Sequence, residues 1–547
     1  MADANRNVVP GTIHLVDTEA AEHSGKKDIV LNPRPSSDPE DPLNWTKKRK
    51  LWAITMAYIY ILGIGMSTTV QYSILTNIGE ATGISIADIN TGTGLQFLFA
   101  GWGCLFWQPV ALTYGRRGVY ILSSLLAIGP MIWTVYTTST SIWWAHRSLL
   151  GLIVAPVESL GEISVSDLFF AHERGNYMGI YTLLVFGSNA LAPFLAGFVT
   201  YSMGWEAAIW FGTIILGVCT VIIYFGMEET MYFRHTIEGI DEGAAEVTSS
   251  PGVETTLGEK TDAVSKSAPL QEEPVSPIAE SMHRVVPRQR TYWQKLQLFR
   301  LDRDRPSVKQ MFIMMVRPLW MFFYFPNVDW AGFLYGASLC WYNVQNATMA
   351  LILNAAPYNF SARAVGISYL SLLIGCCVAW WWAGWAGDEI AIRVARRNRG
   401  IREPEHRLWL LTFSGTLAAA GIILWGVGAA HQIHFMGLII GLGMTSFGIV
   451  SGGSTSLAYD VDCFKEIAGE TVVLVIVIRN TMGFGMNYGI TPWLENTGTQ
   501  NCFVAVAFLC LFCNFSFLFM TVWGKKLRRL SAKKYWEYVD TLIVTAH

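Results

Sequence analysis

The sequence predicts an all-α membrane protein of about twelve transmembrane helices in two six-helix halves. Three observations predict it. The 547 residues are 52% hydrophobic and only 15% charged, where a soluble domain carries roughly 25% charge. The apolar residues come in runs long enough to cross a bilayer, which takes about 20 of them. A long polar stretch, 228–317, separates six runs from six.

The runs lie near 51–76, 89–112, 118–138, 142–164, 177–200 and 206–227, then 319–344, 363–386, 408–430, 434–458, 468–494 and 501–523. Lys and Arg orient them. "TKKRK" (46–50) precedes run 1, Arg116 and Arg117 join runs 2 and 3, and Arg174 joins 4 and 5. "RVARRNRGIRE" (393–403) joins 8 and 9, and "KKLRR" (525–529) follows 12. The alternate links, such as "TTSTS" (137–141), are nearly free of Lys and Arg. Both termini are therefore expected in the cytosol. The expected plan is a tail 1–50, a first half 51–227, a disordered cytosolic loop 228–317, a second half 318–523 and a tail 524–547. The loop is rich in Glu, Ser, Thr and Pro and cannot bury a core of its own. Two lead-ins, "LNWTKKRKLW" (43–52) and "YWQKLQLFRL" (292–301), occupy the same place before each half and are suited to the inner membrane surface.

Composition excludes several classes. A net charge of −2 gives no nucleic-acid footprint. The nine Cys lie mostly inside the runs without paired spacing, so neither disulfides nor metal sites are expected. His431 and His434 form an H-x-x-H without a third ligand. No Walker loop, G-x-S-x-G or C-x-x-C occurs, so an enzyme and a bound cofactor are not expected. Asn359, in the "NFS" of link 7–8, is a glycosylation candidate.

Charges inside the runs are the candidate functional residues, because an intramembrane charge costs at least ~2.5 kcal/mol. Run 4 and its flank, "SIWWAHRSLLGLIVAPVESLGEISVSDLFF" (141–170), hold Arg147, Glu158 and Glu162. At 100° per residue, Glu158 returns to within about 20° of Arg147, with Gly151, Ala155 and Glu162 on the same face. That face must meet protein or water. Arg147 stands roughly 16 Å from Glu158 along the axis, so each needs its own partner. Glu158 reads as a proton or cation site, and Glu162 as a residue snorkelling at the cytosolic mouth. Asp329, in run 7, and Arg479, in run 11, match in depth near the midplane and are expected to pair, with Pro326 bending run 7. The residues expected to face a substrate cavity are Tyr58, Gln71, Tyr72, Tyr335, Ser446 and Tyr459.

Longer stretches carry a resemblance. "NPRPSSDPEDPLNWTKKRK" (32–50), "LFWQPVALTYGRRGV" (105–119), "HRSLLGLIVAP" (146–156), "GSNALAPFLAG" (187–197) and "EETMYFR" (228–234) resemble the major facilitator superfamily. So do "APYNFSARAVG" (356–366), "YDVDCFKE" (459–466) and "IRNTMGFGMNYG" (478–489). The likeness is to its fungal drug:proton antiporter-like branch, which includes histidinol and polyamine permeases. It implies the major facilitator fold and a proton-coupled secondary transporter, monomeric, in the plasma membrane. Its substrate would be a small organic molecule, with export of a drug, toxin or secondary metabolite expected. The alternatives are uptake of a cationic amine such as a polyamine, and a substrate sensor without flux. Helices 1, 4, 7 and 10 would line the cavity, and Gly187, Pro193 and Gly197 match the antiporter signature of helix 5. Two departures stand out: Leu112 and Thr113 replace the Asp-Arg of the loop 2–3 signature, and Ala192 and Ala196 replace two helix-5 glycines. The expected cytosolic gate is then Arg116 or Arg117 with Asp167 or Glu173, together with Asp388. Close approach of helix 5 to the other half is expected at Ala196 and Gly197.

Overall fold

The computed structural model describes residues 9–14, 40–232, 294, 296–299, 305–387, 389–390, 393–394 and 401–546. Ten helical stretches are long and apolar enough to cross a membrane, or eleven counting one bent pair. One stretch, Lys465–Val539, runs to 75 residues. That is roughly 110 Å of helix, several bilayers thick. Gly498, at φ 76° and ψ 160°, breaks it in two. The described residues therefore make twelve spans.

In the first half these are α1 (Lys47–Thr69), α2 (Ile86–Tyr114), α3 (Arg116–Val135), α4 (Thr140–Leu168), α5 (Ala171–Met203) and α6 (Trp205–Gly226). In the second they are α7 (Pro326–Asn354), α8 (Ala362–Trp381), α9 (Leu410–Ala430) and α10 (Phe435–Cys463). The part of Ala468–Phe515 before Gly498 is α11, and the part after it, continued by Phe517–Ala546, is α12. The helix α4 is built from Thr140–Val154 and Pro156–Leu168, because Pro156 has no N–H to continue the ladder. A single antiparallel pairing, Ile13–His14 with Ile401–Arg402, is the only sheet among the described residues. It puts residues 9–14 on the same face as α12's end, called here the terminal face.

Run 7 is displaced from its expected bounds. Val308–Met321 is a separate helix, capped by Ser307 and Gln310 and bent 83° from α7. Phe312, Ile313, Val316 and Trp320 are exposed along it, an apolar face suited to lipid. Pro326 therefore opens α7 instead of bending it, since Pro fits the first helical position, where no N–H bond is needed. A surface helix thus lies at 308–321; much of the expected lead-in 292–301 lies outside the described residues. Of the expected central loop, 228–232, 296–299 and 305–317 take part in the fold; the remainder lies mostly outside the described residues.

Each half has its own core. Between them α11 lies along α2, and α8 along α5. The close approach of α5 belongs to Gly197. A Cβ there would stand 2.5 Å from the Ala362 carbonyl and 2.9 Å from the Gly366 Cα. Ala196 instead packs into the first half's own core. We expect Gly197→Leu to stop the transport that the resemblance implies while protein levels stay near normal, because it pushes two spans apart without emptying a core. Normal flux in that variant would place the segment against lipid.

Candidate functional site

The break at Pro156 starts a new helical segment, and Glu158 stands in its first turn, where the helix dipole favours a carboxylate. Glu158 pairs with Arg479 of α11, which brings the two halves together on the central axis. Arg479 is otherwise held by its own half. Its Nε and Nη2 donate to Asn480 Oδ1 at 3.2 and 3.0 Å, and its guanidinium lies 4.7 Å from the centre of the Tyr335 ring. Of the Arg479 contacts among the described residues, only the bond to Glu158 crosses between the halves. Tyr181 of α5 donates to the Glu158 carbonyl at 3.1 Å and fixes that turn.

Three more carboxylates gather on the terminal side. Glu162 is buried one turn from Glu158 and feels the charge of Asp460. Asp460 accepts from Thr471 Oγ1 at 2.8 Å, and its other oxygen has no hydrogen-bond partner among the described residues. Asp460 in turn feels the charge of Asp329. The expected pair of Asp329 with Arg479 does not form. Because α7 starts at Pro326, Asp329 sits in its first turn near the terminal face, while Arg479 lies about three turns into α11. Glu162 is not a snorkelling surface residue either, being 9% exposed. Beside the pair is a small cavity, little larger than a water molecule, lined by Tyr181, Phe186, Tyr335, Gly453, Ser454 and Leu457. A second small one lies off the axis beneath the surface helix, where its carboxylate Glu470 is already paired with Arg317 at 3.0 Å.

The other cavity candidates divide. Arg147 is fully buried, donates to Gln96 Oε1 at 3.2 Å and lies 4.5 Å from the Trp143 ring centre. No carboxylate reaches it among the described residues. Gln71 donates to Thr93 at 3.2 Å, and Tyr72 meets Tyr342 of α7 edge to face. These belong to a sealed region on the face opposite the termini. There Asn354 donates to Thr76 at 2.7 Å and Asn90 to Thr491 at 3.0 Å, each across the halves. Tyr58 donates to the Tyr177 carbonyl at 2.8 Å, near the terminal face. Ser446 and Tyr459 turn away from the cavity. Ser446 donates to the Leu372 carbonyl between α10 and α8, and Tyr459 accepts from Asn327 inside the second half.

At the terminal face Arg116 pairs with Asp167 at 3.0 Å. Arg117 donates to the carbonyls of Met227, Tyr224 and Leu296. Glu173 makes no ion pair among the described residues, and Asp388 lies outside them. Sequence reasoning missed Glu229, which accepts from the N–H groups of Arg116 and Arg117 at 3.0 and 3.1 Å and so caps α3. Burial pushes its carboxyl up, although Arg116 and the backbone N–H groups pull the other way. The signal was present in "EETMYFR", since a helix N-terminus favours a nearby acid.

Sequence reasoning also missed the second half's counterpart. Arg528, fully buried, donates to Glu403 at 2.7 Å and to both oxygens of Glu405 at 3.1 and 2.7 Å. Lys525 adds a bond to Glu403 at 2.6 Å. Burial alone would raise Glu403, but the hydrogen bonds from Lys525 and Arg528 outweigh it and hold its carboxyl below the usual range.

These features can be set beside known proteins. The profile of the Major Facilitator Superfamily matches residues 57–470. An uncharacterized MFS-type transporter of Schizosaccharomyces pombe is 30% identical, over 97% of this chain and 94% of its own. Protein HOL1 of Saccharomyces cerevisiae is 27% identical over 97% of each. The MFS antiporter QDR3 of Candida albicans is 22% identical over 91% of this chain and 81% of its own. The crystal structure of the human organic anion transporter MFSD10 (TETRAN) shares the fold with a TM-score of 0.54 at 15% identity, covering 86% of this chain and 99% of that one. Twelve spans in two halves, a charge pair on the axis and a match across most of the chain agree: the chain belongs to the Major Facilitator Superfamily and is a membrane transporter, not an enzyme.

Proposed function

We propose that the protein exports a small organic cation in exchange for protons, by alternating access in the plasma membrane, with its terminal face in the cytosol. One observation carries the reading. Glu158, Glu162, Asp329 and Asp460 are buried on the same side, and the cation Arg479 is bound to Glu158 alone among them. A buried group of acids favours a cation, and a proton and an organic cation compete for the same oxygens. Competition of that kind yields exchange. The likeness to the antiporter QDR3 and the Gly187, Pro193 and Gly197 pattern on α5 support the direction. The basic residues of the terminal-face links support the orientation. Exposed Asn359 lies on the opposite face, as a glycosylated residue would.

The test is flux of a fluorescent organic cation in proteoliposomes under an imposed pH gradient. Exchange predicts that the dye moves against the proton flow and that reversing the gradient reverses it. Movement with the protons would make the protein an uptake carrier. Binding without flux under either gradient would make it a sensor.

A further inference from the structure

Each half holds the segment that leads into the other. Residues 9–14 precede α1 but dock on the second half. Ile13 and His14 pair with Arg402 and Ile401, and Thr12 donates to Glu403 at 3.0 Å. Arg528 donates to the Pro10 carbonyl. Gly11, at φ 80°, lies so close to α10 that a Cβ would stand 2.6 Å from the Asp462 carbonyl. Residues 296–299 precede α7 but dock on the first half. Arg117 donates to the Leu296 carbonyl, and Phe299 covers Gly118, where a Cβ would stand 2.6 Å from its ring.

The two slots share one construction. A buried arginine is fixed by its own half, Arg117 through the carbonyls of Met227 and Tyr224 and Arg528 through Glu403 and Glu405. Each has a donor left for a backbone carbonyl of the incoming segment. Each slot also has a glycine at the point of contact, on α3 in one and on the segment itself in the other.

We propose that residues 9–14 and 296–299 are reciprocal straps, each gripped by the opposite half, that oppose separation of the halves at the terminal face. Their leashes differ. The connection 300–307 reaches at most about 28 Å before the surface helix, while 15–39 reaches about 90 Å. The surface helix is packed against α2 and α11, which anchors the far end of the short leash. It is the stronger restraint, since the effective concentration of a tethered segment at its slot falls with leash length roughly as the −3/2 power.

The test reads how far the terminal mouth opens. Ser454, which lines the cavity, is changed to Cys in a chain whose exposed Cys377 is replaced by Ala. Labelling by a thiol reagent applied to the terminal face is timed. Gly118→Val fills the first slot, and a ten-residue Gly-Ser insertion after residue 303 lengthens the short leash while leaving both slots intact. The insertion lowers the strap's effective concentration by about three-fold, and labelling is expected to rise by that order. Gly118→Val should raise it at least as much. Thr12→Glu, repelled by Glu403 and Glu405, should raise it less. Labelling unchanged by the insertion overturns the proposal, whether or not Gly118→Val alters it, because that variant alone would then report local damage.

Discussion

Glu158→Gln is expected to abolish gradient-driven flux and to lower the yield of folded protein, and adding Arg479→Gln is expected to restore the yield alone. The single change leaves a guanidinium buried with only neutral partners, Asn480 and Tyr335. Breaking a buried pair from one side costs about 3–5 kcal/mol, whereas removing both charges is often near neutral. Arg479→Ala should be as harmful to yield, since it strands Glu158 beside Glu162. Flux should stay absent in the double variant, because the charged bond between α4 and α11 is lost with both of its partners. Asp329→Asn should retain gradient-driven flux, reduced but still dependent on pH, as Asp329 is outside the pair. Yields are read from the monodisperse peak in detergent and flux from proteoliposomes. Full coupling in Glu158→Gln, or its loss in Asp329→Asn alone, would move the proton site to Asp329.

The second large effect is on stability. Arg528→Ala should lower the thermal midpoint sharply, at a cost of about 3–5 kcal/mol, because Glu403 and Glu405 would face each other buried without their shared cation. Arg528→Lys should recover only part, since an ammonium cannot fork across two carboxylates and reach a carbonyl as well. The pH dependence has a definite sign. Glu403 is held below its unfolded range, so its contribution is present above roughly pH 4.3 and fades as pH falls through the lower folded range. Wild-type melting of Arg528→Ala at neutral pH would show that the cluster is dispensable.

The spans, their order and the division into halves were legible in the residues, because hydropathy and the helical period are local properties. So was the placing of Arg147, Glu158 and Arg479 inside protein, since lipid tolerates none of them. The family was legible too, through stretches such as "HRSLLGLIVAP" and "GSNALAPFLAG". Partner choice was not. Arg479 was matched to Asp329 by depth, but depth depended on where α7 begins, and that was decided by Val308–Met321 bending 83° away. Which face of α11 meets α4 depends on how each helix is rotated about its own axis, and no periodicity within one helix records a neighbour more than 300 residues away. The same holds for Ser446 and Tyr459, turned into packing contacts, and for Arg528, read as one of the four basic residues of "KKLRR" in a tail. Local composition determined what had to be buried in this protein; the packing of distant helices alone decided against what, because ion pairs and hydrogen bonds form only where separate spans bring their atoms within about 3 Å.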